Sequence, residues 1–131
     1  MATSVTRLFQ AANAVVPRIA AAQAQELIAK GGEARVSVVD VREASEVQQS
    51  GKVNGAVHIP RGLPEFVADP QSTSHDPRFE TGKTVIVYCA GGGRAALAGQ
   101  ALKEMGYGEV YNLGGFTDWA DSGGAIGTAQ A

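Results

Sequence analysis

Two apolar runs, "VSVVDV" at residues 36–41 and "KTVIVY" at residues 83–88, constrain the fold more than any other feature of the chain. A strand with one wet face alternates apolar and polar residues, whereas a near-continuous run suits a strand covered on both faces. Both runs therefore predict central strands. Shorter strands are expected in "GAVHIP", near residues 56–59, and in "EVYNL", residues 109–113. "VVPRI" offers an edge strand, the position at which Pro17 is tolerated. Four or five strands alternating with helical segments argue for an α/β domain with a largely parallel sheet.

The helical segments follow from spacing and stop signals. "AAAQAQELIAK", residues 20–30, ends at Gly31 and Gly32, which supply the left-handed residue that closes many helices. Residues 45–49 form a shorter candidate. After Arg94, the residues Leu97, Ala101, Leu102 and Met105 share one helical face, Gly106 follows as a stop, and that face is expected to pack on the sheet. The segment "RGLPEFVADPQSTSHDPRFETGK", residues 61–83, holds three prolines and many turn formers. Beyond one helical turn near residues 65–68 it reads as a long surface loop, the kind that borders a site.

With 131 residues and 44% hydrophobic content the chain suits one compact domain, placed at residues 16–123. Residues 1–15 read as an N-terminal extension with a short helix over residues 6–15. The first 25 residues carry a mild likeness to an organelle transit peptide, since they hold Arg7 and Arg18 and no acid comes before Glu26. Residues 124–131 have little to bury and read as a flexible tail. A formal charge of -2 gives no basic stripe, so neither nucleic acid nor an anionic membrane surface is an expected partner. No run approaches the roughly 18 apolar residues of a membrane span. A lone cysteine forms no internal disulfide, and the resulting expectation is a cytoplasmic domain acting on a small or protein-sized partner. No metal or cofactor is assigned.

The chemistry points to "YCAGGGRAAL". Cys89 stands at the carboxyl end of a predicted buried strand, where ligands of open α/β sheets bind. Gly91, Gly92 and Gly93 turn the chain into a helix, and their bare backbone lets successive N–H groups form an anion-binding concavity. Arg94 adds a permanent cation with a planar fork of donors. A thiol beside a cation at a helix N-terminus is favoured as thiolate, the nucleophilic form, with no neighbouring base required. Four residues separate Cys89 from Arg94. That loop is one residue shorter than the Cys-to-Arg loop that wraps a phosphoryl group, and the tighter circle suits sulfur.

Taken together, "VVDVREASEV", "GKVNGAVHIPRG" and "VYCAGGGRAALAGQALKEMGYGEVYNLGGFTDW" resemble the rhodanese family of sulfurtransferases, in the family's order and over most of residues 16–123. The resemblance implies a three-layer sandwich: a five-stranded, mostly parallel sheet with helices on both faces. It implies that Cys89 takes a sulfane sulfur and holds it as a persulfide, cradled by the amides from Ala90 through Ala95, while Arg94 holds an anionic donor such as thiosulfate. A cyanide, thiol or protein acceptor then removes the sulfur. Two other readings are a persulfide carrier or docking module without turnover, and a phosphatase of the same fold. The phosphatase reading is disfavoured by the short loop and by Tyr88, where a histidine would precede the cysteine.

The resemblance also suggests that Asp40, with Arg42, supports loops around the site; an interior ion pair is the plainer expectation. Lys52 stands where family members often carry histidine, and it is expected to frame the site from a neighbouring loop. Glu43 and Glu46 read as a solvated helix face. His58 and His75 read as hydrogen-bonded structural histidines, and Phe116 and Trp119 as anchors of a last short helix.

Overall fold

The fold, taken from a computed structural model, is described over residues 2–130. In chain order the elements are α1 (Val5–Val15), α2 (Ala21–Arg35), β1 (Val36–Asp40), α3 (Ala44–Ser50), β2 (Lys52–Val53), β3 (Val57–His58), α4 (Pro64–Ala68), β4 (Thr84–Cys89), α5 (Gly93–Glu104), β5 (Glu109–Gly115), α6 (Phe116–Asp121) and β6 (Ile126–Gly127). The main sheet has the order β3-β1-β4-β5 with every neighbouring pair parallel, so the two apolar runs are the two central strands.

The edge strand expected in "VVPRI" shrinks to a single bridge between Arg18 and Asn112 on the free side of β5. Pro17 has no N–H to give a ladder. Only its carbonyl, accepting from the Asn112 N–H at 2.8 Å, and the Ile19 N–H, donated to the Asn112 carbonyl at 3.0 Å, tie the segment down. At the other end of the chain, residues read as a tail meet the body. Ile126 and Gly127 pair antiparallel with Val53 and Lys52, and the Ala125 carbonyl accepts from the Asn54 N–H and from Trp119 Nε1–H, both at 2.9 Å.

Alternation along the strands deals side chains to two cores. Val39, Val85, Val87 and Cys89 face α5, packing with Ala95, Ala98 and Leu102. Val36, Val38, Ile86 and Tyr88 face the opposite side, with Ala24 of α2 and Trp119 of α6. Cys89 and its neighbour Tyr88 thus serve different layers. α2 is interrupted at Gly32, where φ is 62°, before a further turn leads into β1.

The buried face of α5 differs from the one its larger residues suggest. Ala95, Ala96, Ala98, Gly99 and Leu102 are buried, while Leu97, Ala101 and Met105 are only partly so. α1 is the cause: it packs on α5, and the Val16 side chain just after it fills the space that a Cβ on Gly99 would need, 2.9 Å away. Small residues on α5 let this close approach happen. No helix among the described residues is long and apolar enough to cross a membrane.

Candidate active site

Cys89 ends β4 with 1% of its surface exposed. Its Sγ accepts the Gly92 N–H at 2.9 Å. Gly92 has φ of 105°, in the left-handed region that a side chain resists, and this turn folds the chain back into α5. The first N–H of the helix to find an intrahelical acceptor belongs to Ala96, bonded to the Gly92 carbonyl at 2.9 Å. The amides of Gly93, Arg94 and Ala95 lie ahead of it and have no intrahelical partner. Among the expected cradle amides, one therefore bonds the sulfur directly and three stand at the helix N-terminus with donor capacity to spare. Ala90 and Gly91 are exposed, so the loop is open to solvent at its rim.

Asn112 fixes this turn from below, a role that local sequence reasoning missed. It is fully buried in β5. Its Nδ2 donates to the Gly92 carbonyl at 2.9 Å and its Oδ1 accepts the Gly114 N–H at 2.8 Å. The register of β5 on β4 slips between Val87 and Tyr88, which leaves Leu113 as an extra residue and brings Gly114 and Gly115 opposite Tyr88 and Cys89. A polar amide inside an apolar strand run was the one sequence signal for this residue, because buried polar groups need partners.

Arg94 meets an unexpected partner. Its Nη1 and Nη2 donate to the two carboxylate oxygens of Glu46, at 2.7 and 2.9 Å, with each side chain about one-third exposed. Glu46, read as part of a solvated face, instead grips the arginine of the loop. The hydrogen bond from Arg94 holds the Glu46 carboxyl at about 2, well below the usual carboxylate range. The guanidinium pKa is raised in turn, first by that hydrogen bond and to a lesser extent by the nearby Cys89 sulfur.

Asp40 and Arg42 form the interior ion pair. Arg42 Nη2 and Nε donate to the Asp40 carboxylate at 2.8 to 3.2 Å, and both side chains are nearly inaccessible. Burial opposes the Arg42 charge, but the hydrogen bond and attraction from Asp40 outweigh it, and the guanidinium is raised further. The Tyr88 hydroxyl donates to Asp40 at 2.6 Å, and burial, then Asp40, pushes its own titration well up. This cluster lies in the layer opposite Cys89 and does not touch the sulfur loop. It reaches the loop through α3: Arg42 Nη1 and Nη2 donate to Ser50 Oγ and the Gly51 carbonyl at the end of that helix, both at 2.8 Å, and α3 carries Glu46 to Arg94.

The remaining residues are structural. His58 Nε2 contacts the Arg42 carbonyl at 2.7 Å, and His75 Nδ1 the Val67 carbonyl at 2.9 Å. Lys52 does not frame the sulfur loop. It is buried in the pairing of β2 with β6, and its Nζ donates to the Ala56 carbonyl at 2.7 Å. Trp119 packs in the core, and Phe116 lies 4.5 Å under the Arg42 guanidinium. A cavity of about 540 Å³ lined by Val36, Ser37, Val57, Arg78 and Lys83 opens at the amino ends of the strands, away from Cys89. Ligands of open parallel sheets bind at the carboxyl ends instead, which favours the Cys89 end as the reactive one.

Residues 20–122 match the rhodanese-like domain family. A thiosulfate sulfurtransferase of Escherichia coli, PspE, is 37% identical over 83 residues, covering 63% of this chain and 72% of that protein. The Bacillus subtilis protein YqhL is 34% identical over 69% of this chain, a match that spans 65% of its own length. A solved structure from Rhodopseudomonas palustris, described as a possible tyrosine phosphatase, is 35% identical, with a TM-score of 0.86 over 97% of this chain and 96% of that one. That likeness extends past the family-matched residues and takes in the N-terminal helix.

Proposed function

This chain belongs to the rhodanese-like domain family, and from that premise we propose that it is a sulfurtransferase carrying sulfane sulfur as a persulfide on Cys89. The observation that carries the reading is the Cys89 sulfur itself, bonded by the Gly92 N–H at 2.9 Å at the mouth of α5, with Arg94 alongside. The polar groups that meet the sulfur are a donor N–H and a cation, which suits a site that holds an anionic sulfur.

In the first half-reaction the Cys89 thiolate attacks the outer sulfur of thiosulfate. A Cys–S–S bond forms, the S–S bond of the donor breaks, and its electron pair leaves on sulfite. The persulfide anion then extends toward the unpartnered amides of Gly93, Arg94 and Ala95. In the second half-reaction a nucleophile, either cyanide or a thiol, takes the terminal sulfur and returns the thiolate. The Asp40–Arg42 pair acts at a distance, holding α3 so that Glu46 stays on Arg94. We do not follow the phosphatase description of the Rhodopseudomonas relative. Four residues between Cys89 and Arg94 make a tight circle for a phosphoryl group, and Arg94 already spends two donors on Glu46.

Intact-protein mass spectrometry tests the reading. Incubation with thiosulfate is expected to add one sulfur atom, cyanide to remove it, and Cys89→Ser to abolish the gain. A protein that keeps its mass with thiosulfate would overturn the assignment; a mass gain that cyanide and thiols leave untouched would convert it to storage without turnover.

A further inference from the structure

We propose that Arg18, from the segment that precedes the family-matched residues, is the side chain that receives the negative charge of an anionic sulfur donor at the Cys89 loop. This inference rests on the sulfur-transfer reading and adds a donor-binding residue to it. Arg94, the cation within the loop, is engaged by both oxygens of Glu46. Its charge is largely met before any donor arrives. Arg18 differs on that point: it is exposed and has no carboxylate within ion-pair distance among the described residues.

The placement of Arg18 is built. Its backbone is bridged to Asn112, the residue that also holds the Gly92 carbonyl. Its guanidinium lies on two residues without side chains, Gly92 and Gly114. A Cβ on Gly92 would come 2.6 Å from Nη1, and one on Gly114 would collide with Nη2. Both glycines have positive φ, 105° and 93°, so neither position is open to an ordinary residue. Because the Gly92 N–H bonds the sulfur at 2.9 Å, standard backbone dimensions bring Nη1 within about 8 Å of Sγ. That span is roughly one Debye length in physiological salt, so the charge is felt at the sulfur. Asp118 Oδ2 also stands beside Gly114, where it accepts the Gly115 N–H at 3.0 Å and lies beyond ion-pair distance of the Arg18 guanidinium. A sulfonate whose outer sulfur meets Cys89 extends away from it, and a planar fork at the rim suits such an oxygen group.

The test compares a charged and an uncharged reagent on the same thiol. Arg18→Gln keeps much of the stem over the glycines and removes the charge; Arg18→Lys keeps the charge and loses the fork. Loading by thiosulfate, followed as the one-sulfur mass gain, is expected to slow about tenfold in Arg18→Gln and to be largely restored in Arg18→Lys. Alkylation of Cys89 by iodoacetamide, which is neutral, is expected to stay within about threefold of wild type. Equal slowing of loading and alkylation would assign Arg18 to loop support and overturn the proposal, as would unchanged loading in Arg18→Gln or failure of lysine to restore it. Absence of any mass gain in the wild-type protein would overturn the sulfur-transfer reading itself, and this proposal with it.

Discussion

Glu46 and Arg94 stand 48 residues apart in the chain and meet through two hydrogen bonds of 2.7 and 2.9 Å, so the arginine of the sulfur loop arrives already paired. The pairing steadies the loop and also lowers its net positive charge. Both effects are separable by experiment.

Glu46→Gln keeps the shape of the partner and removes its charge. Thiosulfate loading in this variant is expected to rise severalfold at low ionic strength and to approach wild type in high salt, since the freed Arg94 charge is partly exposed. Slower loading at every salt concentration would show that the pair serves orientation alone. The pair also has a signed dependence on pH. The folded-state carboxyl titrates at about 2 against an ordinary 4.5, a lowered value. Its stabilisation is therefore full above the ordinary value and lost as pH falls toward about 2. Partly exposed pairs contribute about 0.2–1 kcal/mol. Thermal melts of wild type and Glu46→Gln should differ by a constant amount above about pH 5 and converge in stronger acid.

Asn112 satisfies two buried backbone groups at once, the Gly92 carbonyl and the Gly114 N–H. Asn112→Ala strands the Gly114 N–H, at a cost of about 1–3 kcal/mol, and leaves the Gly92 carbonyl with the Ala96 N–H as its one donor. Denaturant unfolding should report a loss in that range or above, together with slower sulfur loading, because the Gly92 amide loses its tether. Asn112→Asp is expected to be at least as damaging: it retains the shape but sets a carboxylate oxygen against the Gly92 carbonyl. Stability equal to wild type in both variants would show that the turn holds itself.

Arg42 and Asp40 are almost wholly enclosed, with 4% and 0% of their side chains exposed. Removing one member of such a pair leaves a charge inside, at a cost of about 3–5 kcal/mol. Asp40→Ala should lose that much in urea denaturation. The double replacement Asp40→Leu with Arg42→Met should recover a large part, since two apolar groups of similar size leave no stranded charge. If the double variant is stable yet loads sulfur slowly, the pair acts on the loop through α3; if it loads normally, the pair serves the fold only.

What the sequence made legible was local. The two doubly covered strands, the cysteine at a strand's carboxyl end and the glycine turn into α5 all follow from patterns within about ten residues, where backbone preference and burial agree. The miscalculated face of α5 had a non-local cause: Leu97 and Met105 are larger than Ala98 and Gly99, but α1 and Val16 need the small residues. Glu46, Asn112 and Arg18 escaped for the same reason. Each acts on a residue brought near only by sheet formation, and a glutamate three residues into a helical segment looks the same whether it faces water or an arginine. The edge strand at Pro17 was reduced to a single bridge by chemistry visible in the sequence, a missing N–H, whose effect depends on which side of β5 it meets.

The hydrogen bond from Asn112 to Gly92 spans 20 residues, and it has a consequence for how the thiol matures. A chain synthesised only through β4 and the glycine turn carries Cys89 without β5 beneath it, and contacts of this separation form after local helix and turn formation. Until β5 docks, the turn after Cys89 lacks the Asn112 tether and the cysteine sits on an unsupported loop. The turn that holds Cys89 is thus completed by folding, at the moment the last strand of the main sheet closes under it.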